Sequence, residues 1–282
     1  MKRCIVIIPL YKEHPSKSEI ASFRQGLSVL KRHDIAIVTH KDLNLAEYDI
    51  VSKELGKPFD VQYFHPKYFE SVKGYNALCL STEFYERFAD YEYMLIYQTD
   101  AWVFKDELLE WCDKGYDYIG APKYWSKDET RPTEFEGIGN GGFCLRRIEY
   151  CRAFLNISDS KIFLKPSVLF KQWKGRIKYG DKFQGFWKKT ILTLGYIAKI
   201  FGYKNTLKYY KSCTNEDLLF SILASGMWSL KVNLPSEKEG LKFSFERFPQ
   251  HLFQSIGNTL PFGCHAYHKY EYDTFWKKHI KE

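Results

Sequence analysis

Apolar residues along the chain follow two rhythms. The run at 4–8 is continuous, mostly β-branched and closed by Pro9, the pattern of a strand buried on both faces, as in a parallel sheet. Ile20, Phe23, Leu27 and Leu30 then recur at helical spacing behind Ser18, the expected N-cap. Strand-like runs return at 35–38, 59–63 and 93–97, separated by a short helix near 46–55 and a helix over 72–89. Strands alternating with helices predict an α/β fold with a mostly parallel central sheet flanked by helices. Past residue 100 the rhythm loosens: 108–113 and 218–224 read as helices, and 116–121, 142–145 and 230–234 as strands.

The 282 residues are 45% hydrophobic and 18% aromatic, enough for one sizeable core, which excludes disorder, collagen and coiled coil. No Pro- or Ser-rich linker divides them, so one domain over 1–282 is expected. The apolar stretch behind Lys2 and Arg3 runs only from Cys4 to Leu10, too short for a signal peptide or anchor. No segment holds about eighteen uninterrupted apolar residues, so no membrane span is expected. The seven cysteines form no CxxC pair, which suits reduced cytosolic thiols better than disulfides or a zinc site.

Charge changes the picture more. The formal net charge is +8, but between Lys161 and Lys211 thirteen Lys/Arg face one acid, Asp181, a net of +12. The rest of the chain, with 29 basic and 33 acidic residues, is at −4. The same segment holds twelve aromatic residues, so it reads as a basic, aromatic-rich helical insertion with its own role.

In a parallel α/β sheet, ligands collect beyond the carboxyl ends of the strands. Gln98-Thr99-Asp100 follows the 93–97 strand; Asp100 there suits either a divalent cation bridging phosphates or a turn that bonds its own backbone. Gly139-Asn140-Gly141-Gly142 leads into the 142–145 strand, either as a pocket wall that lets a ligand approach the backbone or as a tight hairpin entry. Thr214 to Asp217 precedes the apolar 218–224 run. Thr214 and Asp217 resemble a capping box, and the same helix terminus would hold Asp217 rigid as a base. His265 and His268 lack zinc spacing, and either reads as a metal ligand or as a structural hydrogen-bonder.

Taken in order, Gln98-Thr99-Asp100, Gly139 to Gly142, Asn215-Glu216-Asp217 and Gly263-Cys264-His265 resemble the motif set of GT-A-fold glycosyltransferases. Their wording, with Phe243-Ser244-Phe245-Glu246 added, is similar to a bacterial family of glycosyltransferases linked to surface polysaccharides; the resemblance spans the chain except much of 155–211. It implies a GT-A-like, Rossmann-like fold with a nucleotide-binding half over about 1–120 and an acceptor half over about 121–282. It implies a metal-dependent, inverting, hexosyltransferase-type enzyme using Mn2+ or Mg2+. Asp100 and His265 would be the metal ligands and Asp217 the catalytic base. Gln98 stands where the metal motif has its first Asp. Pro9, Tyr11, Lys73, Asn76, Gln98 and Thr99 would bind a nucleotide-sugar donor, expected to be UDP-linked, and Gly139, Asn140, Gly141, Gly142 and Glu216 the sugar or acceptor. The acceptor is expected to be a glycan or lipid-linked glycan.

The rivals are a sugar-phosphate nucleotidyltransferase, which would need a glycine-rich basic loop where Pro9-Leu10-Tyr11-Lys12 stands, and a non-catalytic glycan-binding module. For 161–211, nucleic-acid binding lacks any RNA-binding signature, and a solvated insertion is the plain alternative. Lysines among Trp, Phe, Tyr and Ile favour an interfacial amphipathic helix on anionic lipid, with Lys188, Lys189 and Lys199 on the membrane side. The expected location is cytoplasmic, peripheral to the inner face of the membrane, with no nucleic-acid partner.

Overall fold

The β-branched run near the N-terminus forms β1 (Lys2–Pro9). Ile5 and Ile7 feed one core and Cys4, Val6 and Ile8 another, so burial on both faces accounts for the missing polar alternation. The computed structural model describes residues 1–128, 130–160, 163–180 and 185–282. In these residues β1 is followed by α1 (Lys17–Val29), β2 (Asp34–Thr39), α2 (Ala46–Leu55), β3 (Asp60–Tyr63), α3 (Val72–Cys79), α4 (Thr82–Glu86) and β4 (Tyr91–Tyr97). Next come β5 (Ala101–Val103), α5 (Leu108–Asp113), β6 (Tyr118–Ile119), β7 (Pro122–Trp125), β8 (Glu134–Ile138), β9 (Phe143–Arg147) and α6 (Ile148–Leu155). The expected basic insertion is helical, with α7 (Pro166–Tyr179), α8 (Phe186–Ile200) and α9 (Leu207–Cys213); Lys161, Asp181 and Lys182 lie outside the described residues. The chain closes with α10 (Glu216–Leu218), α11 (Glu237–Phe243), β10 (Ser244–Phe245), α12 (Pro249–Ser255) and β11 (Gly263–His265).

The central sheet has the order β3-β2-β1-β4-β9-β6. Its first four strands are mutually parallel, and β9 runs antiparallel to both β4 and β6. The chain steps outward from β1 to β3, then returns to lay β4 on the other side of β1. That reversal opens a crevice beyond the carboxyl ends of β1 and β4. A second sheet, β10-β11-β5, stands beside it, and the antiparallel register of β11 on β5 sets His265 opposite Ala101. The C-terminal histidine is thereby brought next to the residues that follow β4. Helices cover both faces of the central sheet, Phe23 and Leu27 of α1 on one side and Leu78, Phe84 and Phe154 of α3, α4 and α6 on the other.

Several expectations change. The helix over 72–89 is two helices: α3 stops at Leu80, and Ser81 restarts the chain by accepting the Phe84 amide. Ser16, not Ser18, caps α1, because its hydroxyl accepts from Glu19 N while the Glu19 carboxylate accepts from Ser16 N, a closed capping box. The 218–224 run is not a regular α-helix; α10 widens into a π turn over Leu219–Leu223, and Ser221 Oγ donates to the Asp217 carbonyl that a tighter turn would use. Residues 230–234 join no sheet. Leu230, Val232 and Leu234 meet the core directly, and Asn233 N donates to Asp117 instead of to a neighbouring strand. Lys199 does not lie on an outer basic face. Its ammonium sits over the rings of Tyr196, Tyr210 and Tyr209 at 5.0, 5.3 and 5.6 Å, and burial lowers its pKa.

The two candidate caps make different predictions. Ser16→Ala should cost about 1 kcal/mol, read as a lower denaturant midpoint at unchanged slope. Ser18→Ala should leave the midpoint within error, and the reverse ranking would sink the capping assignment.

Candidate functional site

A cleft of about 750 Å³ opens at the crevice beyond β1 and β4, the size of a small-ligand site. Pro9 and Tyr11 enter it from the end of β1, Gln98, Thr99 and Asp100 from the end of β4, Asn140 to Gly142 from the turn between β8 and β9, Asp217 from α10 and His265 from β11. The four motifs that lie far apart in sequence therefore share one wall.

On one side, His265 Nε2 lies 3.1 Å from Asp100 Oδ1, within ion-pair reach. This nitrogen is buried, and the Asp100 carboxylate is the charged group it faces. His265 Nδ1 lies 3.4 Å from Glu246 Oε1 and 2.8 Å from Asn140 Nδ2. Burial by itself would lower the imidazole pKa; Asp100 and then Glu246 outweigh it and push the value up to about 10. Burial likewise opposes the carboxylate of Asp100, and the His265 charge brings its pKa below the usual range. Asp100 and, once its proton is displaced, His265 are residue types that would hold a divalent cation. Among the described residues no group of three or more His, Cys, Asp or Glu forms a closed metal cage, so any cation here would depend on its ligand for coordination.

On the other side, Asp217 Oδ2 accepts the backbone N–H of Asn140 at 3.0 Å. Its second oxygen, Oδ1, is buried and has no partner. The capping-box alternative falls away: Thr214 ends α9, Asn215 begins α10 without a side-chain cap, and the Asp217 carboxylate bonds a different loop.

Glu216, expected to face sugar or acceptor, lines the cleft but also holds the interior together. Its Oε1 pairs with Arg146 at 2.9 Å with both side chains buried. Arg146 also donates to Tyr85 Oη at 3.1 Å and lies over the rings of Tyr118 and Phe220. Gly141 and Gly142 serve that packing too. A Cβ on Gly141 would stand 2.5 Å from Glu216 Oε1, and one on Gly142 would collide with the His265 ring. The glycines leave room for protein side chains rather than for a ligand alone. Gly139 is outside the cleft wall, where its Cα packs against the stem of Lys123.

Asn76 lines the cleft and joins α3 to α10, accepting Glu216 N at 3.0 Å and donating to Asn215 Oδ1 at 3.3 Å. Val72, Tyr75 and Asn76 share the helix face that lines the cleft; Lys73 is exposed and lies outside it. Lys188, which is exposed, Lys189 and Lys199 are on α8 and none of them lines the cleft. The sequence pattern assigned no role to Glu246, which lines the cleft with its carboxylate turned to His265, or to Tyr68 and Phe69, which add aromatic surface. The one signal for Glu246 was a carboxylate ending the otherwise apolar Phe243-Ser244-Phe245 run.

Residues 58–265 match a family model described as a protein of unknown function, DUF5672. The chain belongs to the DUF5672 family. A search of curated proteins returned no match for this DUF5672 member. Among solved structures it is similar to core-mannan synthase A from Aspergillus fumigatus in its Mn/GDP form, at 11% identity over 81% of this chain and 71% of that one, with a TM-score of 0.43. It is similar to mouse xyloside xylosyltransferase 1 in its apo form, at 11% identity over 94% and 97% of the two chains, with a TM-score of 0.46. A third likeness, to A197 from STIV, has 14% identity over 57% and 71%, with a TM-score of 0.28.

The neighbouring acids of this DUF5672 chain should respond differently to neutralisation. Glu216→Gln strips the buried Arg146 of its counter-charge and should cost about 3–5 kcal/mol. Asp217→Asn should shift stability by less than about 1 kcal/mol, since its partner is one backbone amide. Equal losses in chemical denaturation would contradict this division.

Proposed function

We propose that this protein is a metal-dependent, inverting glycosyltransferase that moves a hexose from a nucleotide-sugar, UDP-linked, to a glycan or lipid-linked glycan acceptor in bacterial surface polysaccharide synthesis. The reading rests on one observation above all. A carboxylate with one oxygen pinned and the other buried and unpartnered, Asp217, shares a cleft with the Asp100 and His265 pair. The order of the motifs supports it.

Asp100 and His265 would hold the divalent cation; when bound, the cation offsets the negative charge that gathers on a departing nucleoside diphosphate. Glu246 and Asn140 keep the His265 ring in place. Tyr11, exposed at the cleft mouth beside Pro9, offers an aromatic face to the nucleoside. Asp217 Oδ1 takes the acceptor hydroxyl proton as that oxygen attacks the anomeric carbon, and the diphosphate leaves from the opposite face with the bonding electrons. Configuration is inverted as a result.

Asp217→Asn should keep donor and metal binding but lower transfer by roughly a hundredfold or more; near-normal turnover in the folded variant would remove the base role, as would a product with retained configuration. Asp100→Ala and His265→Ala should each abolish metal-dependent thermal stabilisation by a nucleotide-sugar. Pyrophosphate as a product would favour a nucleotidyltransferase instead.

A further inference from the structure

Helix α8 is apolar on both sides. Its inner side is ordinary: Tyr196 is buried, Leu192 packs against the core, and Thr193 Oγ1 accepts from Trp173 Nε1 of α7 at 3.0 Å. On the outer side Trp187, Ile191 and Leu194, spaced i, i+4 and i+7, are 76%, 69% and 60% exposed. Phe186, Ile197 and Phe201 continue the strip, Phe201 being 83% exposed. A helix that is apolar all round is normally buried on all sides, and a contiguous apolar strip of this length marks a binding face rather than scattered surface residues.

The charge around the strip says what kind of partner fits. Lys188 and Lys204, both exposed, flank it, Lys189 is half-buried on the side of Thr193 and Tyr196, and Lys174 and Arg176 belong to the adjoining α7; among the described residues none of these five has an ion-pair partner. The segment from 161 to 211 carries thirteen basic residues and one acid. A second copy of this chain would bring two such segments face to face, which like-charge repulsion opposes. No helix among the described residues is long and apolar enough to cross a membrane, so an apolar strip with a basic border fits a helix lying in the plane of an anionic surface.

We propose that the outer face of α8 docks on a lipid bilayer bearing anionic headgroups. Trp187, Ile191, Leu194 and Phe201 enter the boundary between headgroups and acyl chains, while Lys188 and Lys204 lie in the anionic layer. Lys199 takes no part, because its ammonium is held among Tyr196, Tyr209 and Tyr210. The inference stands apart from the chemistry of the cleft.

The test is co-sedimentation of the full chain with vesicles of phosphatidylcholine alone and of phosphatidylcholine mixed with phosphatidylglycerol. Binding is expected to the mixed vesicles, weakening as salt rises. Trp187→Ser combined with Leu194→Ser should lower it by about tenfold or more. Lys188→Ala and Lys204→Ala should each lower it by about fivefold, whereas Lys199→Ala should leave it unchanged. Trp187, Ile191, Leu194 and Lys188 are exposed on α8, and unchanged melting would confirm folding; Ile191→Ser serves if the double variant does not fold. Equal binding to both vesicles, or to neither, overturns the proposal. So does a lipid-free dimer in sedimentation velocity that Trp187→Ser abolishes, since the strip would then belong to a second copy of the chain.

Discussion

Asn140 is the residue on which the cleft depends. Its backbone is in the left-handed region, at a φ of 72°, which asparagine tolerates better than most residues. All its polar atoms are engaged. The amide nitrogen donates to Asp217, the carbonyl accepts from Tyr118 Oη, and the side-chain oxygen accepts the amides of Gly142 and Phe143, which leaves the side-chain nitrogen facing His265. One residue thus references the turn between β8 and β9, the start of α10 and the end of β11 to each other. Catalytic groups lose effect when displaced by about an ångström, so a shared anchor between the two sides of the cleft is what the proposed chemistry requires.

Two adjacent acids show how burial sorts residues of the same type. Glu216 is taken into the interior only because Arg146 is there, with its guanidinium between the Tyr118 and Phe220 rings and its remaining donors on Tyr85 and Cys144. That pair roots α10 in the central sheet at β9. Asp217, one residue on, has only half its hydrogen-bonding capacity met. A buried carboxylate oxygen left without a donor costs stability, and such a cost is retained where the atom has a use.

The same sorting applies to the basic insertion. Lys178 pairs with Glu134 and Lys211 with Asp159, so part of the excess charge serves to dock the helices on the acidic remainder of the chain. Lys199 is bound by tyrosine rings. Lys188 and Lys204, which have no such partner, stand exposed beside the outer strip of α8.

What the sequence by itself determined is whatever local periodicity and strand-end chemistry express. The β-branched runs of β1 and β2, the apolar run of β4 and the spacing of Phe23 and Leu27 carry the parallel sheet and its helices, because burial on two faces or on one stripe leaves a direct mark on composition. Asp100 and Asp217 were legible as candidates from their places beside such elements, and His265 from the order of the motifs. Only the tertiary structure decided how they meet. The register of β11 on β5 brings His265 to Asp100, and neither strand is long enough to carry a pattern. That Glu216 is committed to a buried ion pair while Asp217 is not depended on Arg146, seventy residues away in sequence. The glycines of the turn looked like room for a ligand, and the clash a Cβ would make with Glu216 at Gly141 or with His265 at Gly142 is a property of packed neighbours. Lys199 and Lys188 are chemically identical in the sequence, and only the fold puts one among tyrosines and the other in solvent. Local sequence records the one-dimensional demands of burial, whereas pair contacts across the chain exist only once the layers have closed.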